Sequence, residues 1–448
     1  MQLDLTDGTT TVILSSGSAP TRGCTYFPLP AQSVAKVHHV TTLLDDVSVT
    51  EAAEVILSGT DVQIRALTQQ IENLFYQARL RQEIGAGPRI WVEYRPVPGD
   101  VLYRSLLFDG SLAWSETPEL RRLRDNNLTA VVTLTFSRQP YWEGPLTELP
   151  LAANGQAAAT GGRTIHNKSD NWVEIAGTDV AGVLPAGVKL SLKNATGANQ
   201  GYVNFFLATG AYNDAPNFTH ILEGESFVGT TSTASASASN GFYGAVSFGG
   251  AGTYLLSYAM SSAQMTKCGG RIFRLLARLM TTPTMTLYVT PQLRDSSGLI
   301  PLAAGPEVAI TTSSSTLLDL GDLPLPPAPN LQIFDALTVC LLVRVTAANS
   351  LNLDFVQLTP TDALRHLRQR GNMLIPNEAA VDDNIEEEAY SDDGSNKFPI
   401  FERLAGPILV WPGRTQRIYT LNDKSSGATS ISDALTVQAW YRPRRLTA

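Results

Sequence analysis

The sequence is poor in the features that most often carry chemistry. Its 448 residues include only three cysteines, Cys24, Cys268 and Cys340, far apart and odd in number, so a disulfide framework is not indicated. Cys340 lies inside LTVCLLVRV and reads as a small buried thiol. Charge is sparse as well: 17% of residues are charged, the net charge is −8 and the sequence pI is about 5.3. A surface that tracks phosphates needs clustered Lys and Arg, and the one dense basic group is Arg442, Arg444 and Arg445, so sequence-specific nucleic-acid binding is not expected. No apolar run is long enough to cross a bilayer, which argues against membrane insertion. The start, MQLDLTDGTTTVIL, has neither a basic stretch nor a continuous hydrophobic one and does not read as a signal peptide. Heptads and internal repeats are missing.

Catalytic and metal-binding patterns are missing too. The histidines are His38, His39, His166, His220 and His366, with no HExxH, HxH or paired CxxC spacing. His38 and His39 are adjacent on a predicted strand, which turns them to opposite faces. The acidic run Asp382, Asp383, Glu386, Glu387, Glu388, Asp392 and Asp393 lacks the alternating ligands and closing Glu of a calcium loop, so it reads as a solvated loop. Ser226 in GESFVG misses the spacing of a nucleophile elbow, Cys24 has only sequence proximity to His38, and no GxxxxGK[ST] loop occurs. The expectation is therefore no catalytic residue, no metal ligand and no cofactor.

What is present is abundant Gly, Ser, Thr and Ala among short apolar runs, the pattern of a mainly β protein with many turns. Residues 1–150 read as strands around one helix. TTTVIL, AKVHHVTTLL and AAEVILSG are strand candidates, and Thr60 stands a capping-box distance before Gln63. Ile64, Leu67, Ile71, Leu74, Phe75 and Ala78 then recur every three or four residues, predicting an amphipathic helix over 61–84 that Gly85 and Gly87 end. PRIWVEYRPV, VLYRSLLFDGSLAW and LTAVVTLTFSRQ follow at strand length. One helix among strands indicates a helix-flanked β-sandwich, since a doubly wound sheet needs repeated βαβ crossovers.

The stretch 139–162 decays into small residues, and 151–163 reads as a linker. Residues 164–360 carry about eight strand candidates at short spacing, including VKLSLKN and LNLDFVQLTP, with a Ser/Thr/Ala-rich loop at 228–241; this implies a jelly-roll β-sandwich. Its aromatics Trp172, Tyr202, Tyr212, Phe218, Phe242 and Tyr243 are candidates for stacking on sugars, although in sandwiches aromatics are more often core or inter-subunit anchors. Residues 361–404 read as a connecting helix, TDALRHLRQRGN, and the acidic loop. Residues 405–448 hold two strands expected to pair around the 424–433 loop and to return to the first domain.

The order VILSGTDVQIRALTQQIENLFYQARLRQEIGAGPRIWVEYRP, RSLLFDGSLAW, LTAVVTLTFSRQPYWEGPLTELPL and, last, LTVQAWYRPRRL resembles the distal tail and tail tube proteins of long-tailed bacteriophages, over about half the chain. The second segment resembles a jelly roll of the carbohydrate-binding-module type. The resemblance implies a structural subunit of the virion tail, made and assembled in the host cytoplasm. Its partners would be further copies in a hexameric ring at the distal tail or baseplate hub, the tail tube and tail-tip proteins, and host-surface carbohydrate on the second domain. A repeating tail tube subunit and a free-standing glycan-binding protein are the alternatives. No catalytic residue is implied.

Overall fold

The computed structural model describes residues 1–28, 48–114, 128–168, 171–195, 202–210, 220–298, 300–314, 316–326, 337–368, 378–391, 401–403, 406–424, 431 and 433–448. The chain is mainly β, with multiple sheets and few helices. It divides into two compact units: Met1–Thr147 with Ala181–Ala186 and Arg442–Ala448, and Glu148–Val180 with Gly187–Tyr441.

The first unit is built on one sheet, in the order Thr11–Ile13, Gln2–Thr6, Trp91–Arg95, Tyr103–Trp114, Leu128–Arg138, Val49–Gly59 and Thr21–Tyr26. Trp142–Glu143 and Arg444–Arg445 add to it beside Tyr103–Trp114. The predicted helix is Asp61–Ile84. Thr60 Oγ1 accepts from the Gln63 amide at 3.3 Å while Gln63 Oε1 accepts from the Thr60 amide at 2.9 Å, which satisfies donors that a helix start would leave unpaired. Gly85, at φ 68°, ends the helix in a conformation glycine adopts without strain. All six apolar positions read from the sequence are buried, each contributing about 1.5–3 kcal/mol where a large side chain leaves water. AKVHHVTTLL, with His38 and His39, lies outside the described residues.

Among the described residues the second unit holds four sheets. Two form the region 221–360: Thr231–Ala234, Phe242–Phe248, Asn349–Pro360, Ile272–Thr281 and Leu317–Pro324 in one, and Gly252–Ala259, Leu337–Val345, Leu287–Asp295 and Pro301–Ala304 in the other. From Phe242 onward the chain passes repeatedly from sheet to sheet, which is the winding of a jelly roll. One core, including Phe248, Phe273, Leu275, Val289, Leu341 and Leu353, lies between the two sheets. The jelly roll is narrower than predicted, because Trp172–Ile175, Ala186–Asn194 and Tyr202–Thr209 belong to the other pair of sheets.

That outer pair corrects four expectations. The linker at 151–163 is instead the strands Leu151–Ala153, Gln156–Ala159 and Arg163–His166, since Leu151, Ala153 and Ile165 have core to bury in. The connecting helix is the strand Ala363–Arg368, paired with Tyr202–Thr209; Ala363, Leu364, Arg365 and His366 are all buried, and burial on both faces overrides a local helical preference. The acidic loop begins as a hairpin of Ala379–Asp383 and Glu388–Ser391, in which Asp382 pairs with Arg365 at 3.2 Å and Asp383 with Lys189 at 3.7 Å. Asp392 and Asp393 lie outside the described residues. The C-terminal strands Gln416–Lys424 and Ala434–Tyr441 sit in different sheets of the second unit, and only Arg442–Ala448 belongs to the first. Leu192 opposite Val437 and Leu190 opposite Ala439 explain where Ala434–Tyr441 goes: its apolar face continues that of Ala186–Asn194.

The loop at 228–241 is also better ordered than its composition suggests. Thr231–Ala234 pairs with Phe242–Phe248, and the turn between them is tied down by Ser239 N donating to Asp354 Oδ1 at 2.8 Å and by Arg278, which pairs with Asp354 and donates to Ser237 O. The jelly roll is joined to the outer sheets by Phe206, Ile221, Leu276, Leu317, Phe355 and Leu421, and by Asn171, which bonds His220 Nε2 at 2.7 Å and donates to Gln357 at 2.6 Å.

Candidate assembly surface

Two neighbouring strands of the first unit's sheet alternate between buried and outward residues over most of their length. In Val49–Gly59 the residues Glu51, Ala53, Val55 and Leu57 are buried, while Thr50, Ala52, Glu54 and Ile56 are exposed. In Leu128–Arg138 the residues Val132, Leu134, Phe136 and Arg138 are buried, with Val131, Thr133, Thr135 and Ser137 on the other side. Cross-strand partners share a face, so register assembles the outer surface. One row runs Thr25, Glu54, Thr133, Ala113, and the next runs Ala52, Thr135, Ser111. Among the described residues, these two rows make a sheet face of small and β-branched side chains with one charge, Glu54, and Ile56 beside them is 42% exposed.

Its opposite side is held by a buried ion pair. Arg138 Nη2 and Nε reach the two carboxylate oxygens of Glu51 at 2.6 and 2.7 Å, and the Tyr26 hydroxyl donates to Glu51 Oε2 at 2.5 Å. Arg138 also donates to Gln139 O at 2.8 Å and lies 4.3 Å over the Trp142 ring. Burial pushes the Tyr26 hydroxyl pKa upward, keeping it a donor. The pair ties together the three strands carrying Tyr26, Glu51 and Arg138, and so supports the register of the exposed face. Both charged residues fall in phase with apolar neighbours, which is the signal in the sequence that could have found them.

Among the described residues, the candidates for chemistry are not brought together. His220 is buried and its pKa is lowered to about 3, chiefly by desolvation and then by Arg417. His366 stacks on Phe206 at 4.1 Å, and His166 lies on a strand in another sheet. Burial pushes the Cys24 thiol up to about 12 and the Cys340 thiol to about 11, which makes both poor nucleophiles. Ser226 ends a single 3-10 turn. Among the described residues no group of three or more His, Cys, Asp or Glu could hold a metal ion, and no helix is long and apolar enough to cross a membrane. Of the candidate sugar-stacking aromatics, Phe242 is exposed, Tyr243 is half-buried and Trp172 is covered by Arg417 at 3.8 Å. Tyr212 and Phe218 lie outside the described residues.

Solved structures to which the chain is similar include phage proteins. The SPP1 Dit protein, described as a paradigm of the hub adsorption apparatus in phages infecting Gram-positive bacteria, aligns over 99% of this chain and 98% of its own, at 8% identity and a TM-score of 0.32. The phage P2 baseplate in its activated conformation with Ca aligns over 100% of this chain and 99% of that one, at 11% identity and a TM-score of 0.26. The phage p2 baseplate with Sr covers 78% of this chain and 97% of that one, at 12% identity and a TM-score of 0.19. Similarities of this size establish neither a shared fold nor a family. No family model matches the chain, and no curated protein matches it.

Proposed function

We propose that the chain is a structural subunit of a bacteriophage tail, forming a closed hexameric ring at the distal tail or baseplate hub that joins the tail tube to tip proteins. The observation that carries this reading is the exposed sheet face of the first unit. A sheet face with so little charge is a surface that assembly can cover at small desolvation cost, and a heterologous contact repeated around an axis closes a ring. The hexameric number follows from the resemblance of the sequence to tail proteins. The subunit works by scaffolding rather than catalysis, and its jelly roll contacts host glycans.

Electron microscopy of particles labelled with an antibody to this chain tests the placement. Label confined to the distal end of the tail is the expected result. Label spaced along the whole tail would make it a tube subunit instead, and unlabelled tails would overturn the proposal.

A further inference from the structure

The jelly roll carries a polar cleft of about 370 Å³, broadly open to solvent, lined by the segment 304–306 and by residues of the paired strands Ile272–Thr281 and Leu317–Pro324. Arg274 lines it and bridges two carboxylates of the neighbouring strand: Nη2 donates to Asp319 Oδ2 at 2.7 Å and Nη1 to Asp322 Oδ1 at 3.1 Å. The second edge donor of the guanidinium, Nε, is buried and has no partner, while Asp322 keeps its other oxygen unbonded on a half-exposed side chain. Two glycines shape the walls. A Cβ on Gly305 would stand 2.8 Å from Pro291 and 3.3 Å from the Asp322 carbonyl, and one on Gly321, at φ 87°, would stand 2.7 Å from the Pro306 ring. Any larger residue at either position would displace the wall it packs on.

The chemistry of this lining selects a class of ligand. Two carboxylates against one guanidinium leave a net negative charge, which repels phosphate, sulfate and carboxylate groups. The bridging guanidinium in turn opposes a metal cation. What remains suited is a neutral group offering several hydroxyls, each both donor and acceptor, able to bond carboxylate oxygens and backbone carbonyls while its C–H face lies along the Pro306 ring and Ala304. The volume falls within the roughly 300–1,000 Å³ of small-molecule sites, enough for one or two sugar rings, and the open side leaves room for a chain to continue. We propose that this cleft is a saccharide subsite that takes the terminal residue of a neutral glycan. The proposal rests on the reading of the jelly roll as glycan-contacting and names where that contact is made.

The test is binding of the full chain to a panel of immobilised neutral and anionic mono- to tetrasaccharides, with Asp322→Ala as the cleft variant and Phe242→Ala as a variant of the exposed aromatic. Both positions are exposed enough for the fold to survive, which the thermal transition verifies. The expected result is binding of at least one neutral saccharide, weakened tenfold or more by Asp322→Ala, equivalent to about 1.4 kcal/mol, and unchanged by Phe242→Ala. Binding lost in Phe242→Ala and kept in Asp322→Ala would overturn the cleft while leaving the glycan reading intact. Binding of anionic saccharides alone would overturn the neutral class. A wild-type chain that binds no saccharide would overturn the glycan reading itself.

Discussion

The ring of Phe75 occupies the space that a side chain at position 110 would need: Cδ1 and Cε1 lie 2.4 Å from where a Cβ on Gly110 would stand. The helix Asp61–Ile84 approaches the strand Tyr103–Trp114 this closely because position 110 is glycine. Gly110→Val should therefore push the helix off the sheet and cost about 1–3 kcal/mol, as overpacking does, with a lower denaturation midpoint as the readout. An unchanged midpoint would mean that the helix is not locked to the sheet by this contact.

The Glu51–Arg138 pair makes a different demand. Arg138→Met alone strands a buried carboxylate and should cost about 3–5 kcal/mol, whereas Glu51→Leu combined with Arg138→Met should be markedly less damaging because no unpaired charge remains. Equal losses in the single and double variants would show that the pair is not acting as a unit.

Much of this first unit was legible in the sequence. Apolar spacing of three or four residues, a capping box and a terminal glycine specify Asp61–Ile84 locally, and two-residue alternation specifies Val49–Gly59, as it does Ala186–Asn194 in the second unit. The second unit was less legible because its strands are defined by distant partners. Ala363–Arg368 has the composition of a helix and becomes a strand only because Tyr202–Thr209 lies beside it, and the two C-terminal strands enter different sheets although they are neighbours in sequence. The polar sites were hidden for the same reason: Arg274 meets Asp319 and Asp322 across more than forty residues of chain. The short helix Ser262–Cys268 was missed despite a visible signal, the capping box of Ser261 and Gln264.

Glu223 predicts a pH dependence in the alkaline direction. Its pKa is raised to about 8, first by burial and then by Glu225 and Asp354, while Ser239 lowers it. The folded chain thus keeps a proton that the unfolded chain has released above the ordinary value of 4.5. Its contribution to stability is fully present below that value and is lost as pH rises toward 8. Glu223→Gln should flatten this part of the profile, raising the thermal midpoint at pH 8 by a few degrees relative to wild type while changing little at pH 5. Parallel profiles for the two proteins would contradict the assignment.

His220 predicts a loss at the acid side. Because its pKa falls from 6.5 to about 3 in the folded chain, the unfolded state takes up the proton first, and stability declines as pH drops from 6.5 toward 3. Replacing the ring by His220→Gln, which retains a donor for Asn171, should reduce the slope of the thermal midpoint between pH 6 and 4, and an unaltered slope would place the acid sensitivity elsewhere.

Assembly through the exposed sheet face is tested most directly by native mass spectrometry of the full chain beside Thr135→Arg, which sets a charge in the middle of the row Ala52, Thr135, Ser111. Thr135 is exposed, so the protomer should keep its thermal transition. The wild-type chain should appear as a closed oligomer at a whole multiple of 48.2 kDa, and Thr135→Arg as a folded monomer. A wild-type chain that stays at 48.2 kDa at every concentration, or a variant that assembles as the wild type does, would contradict the account.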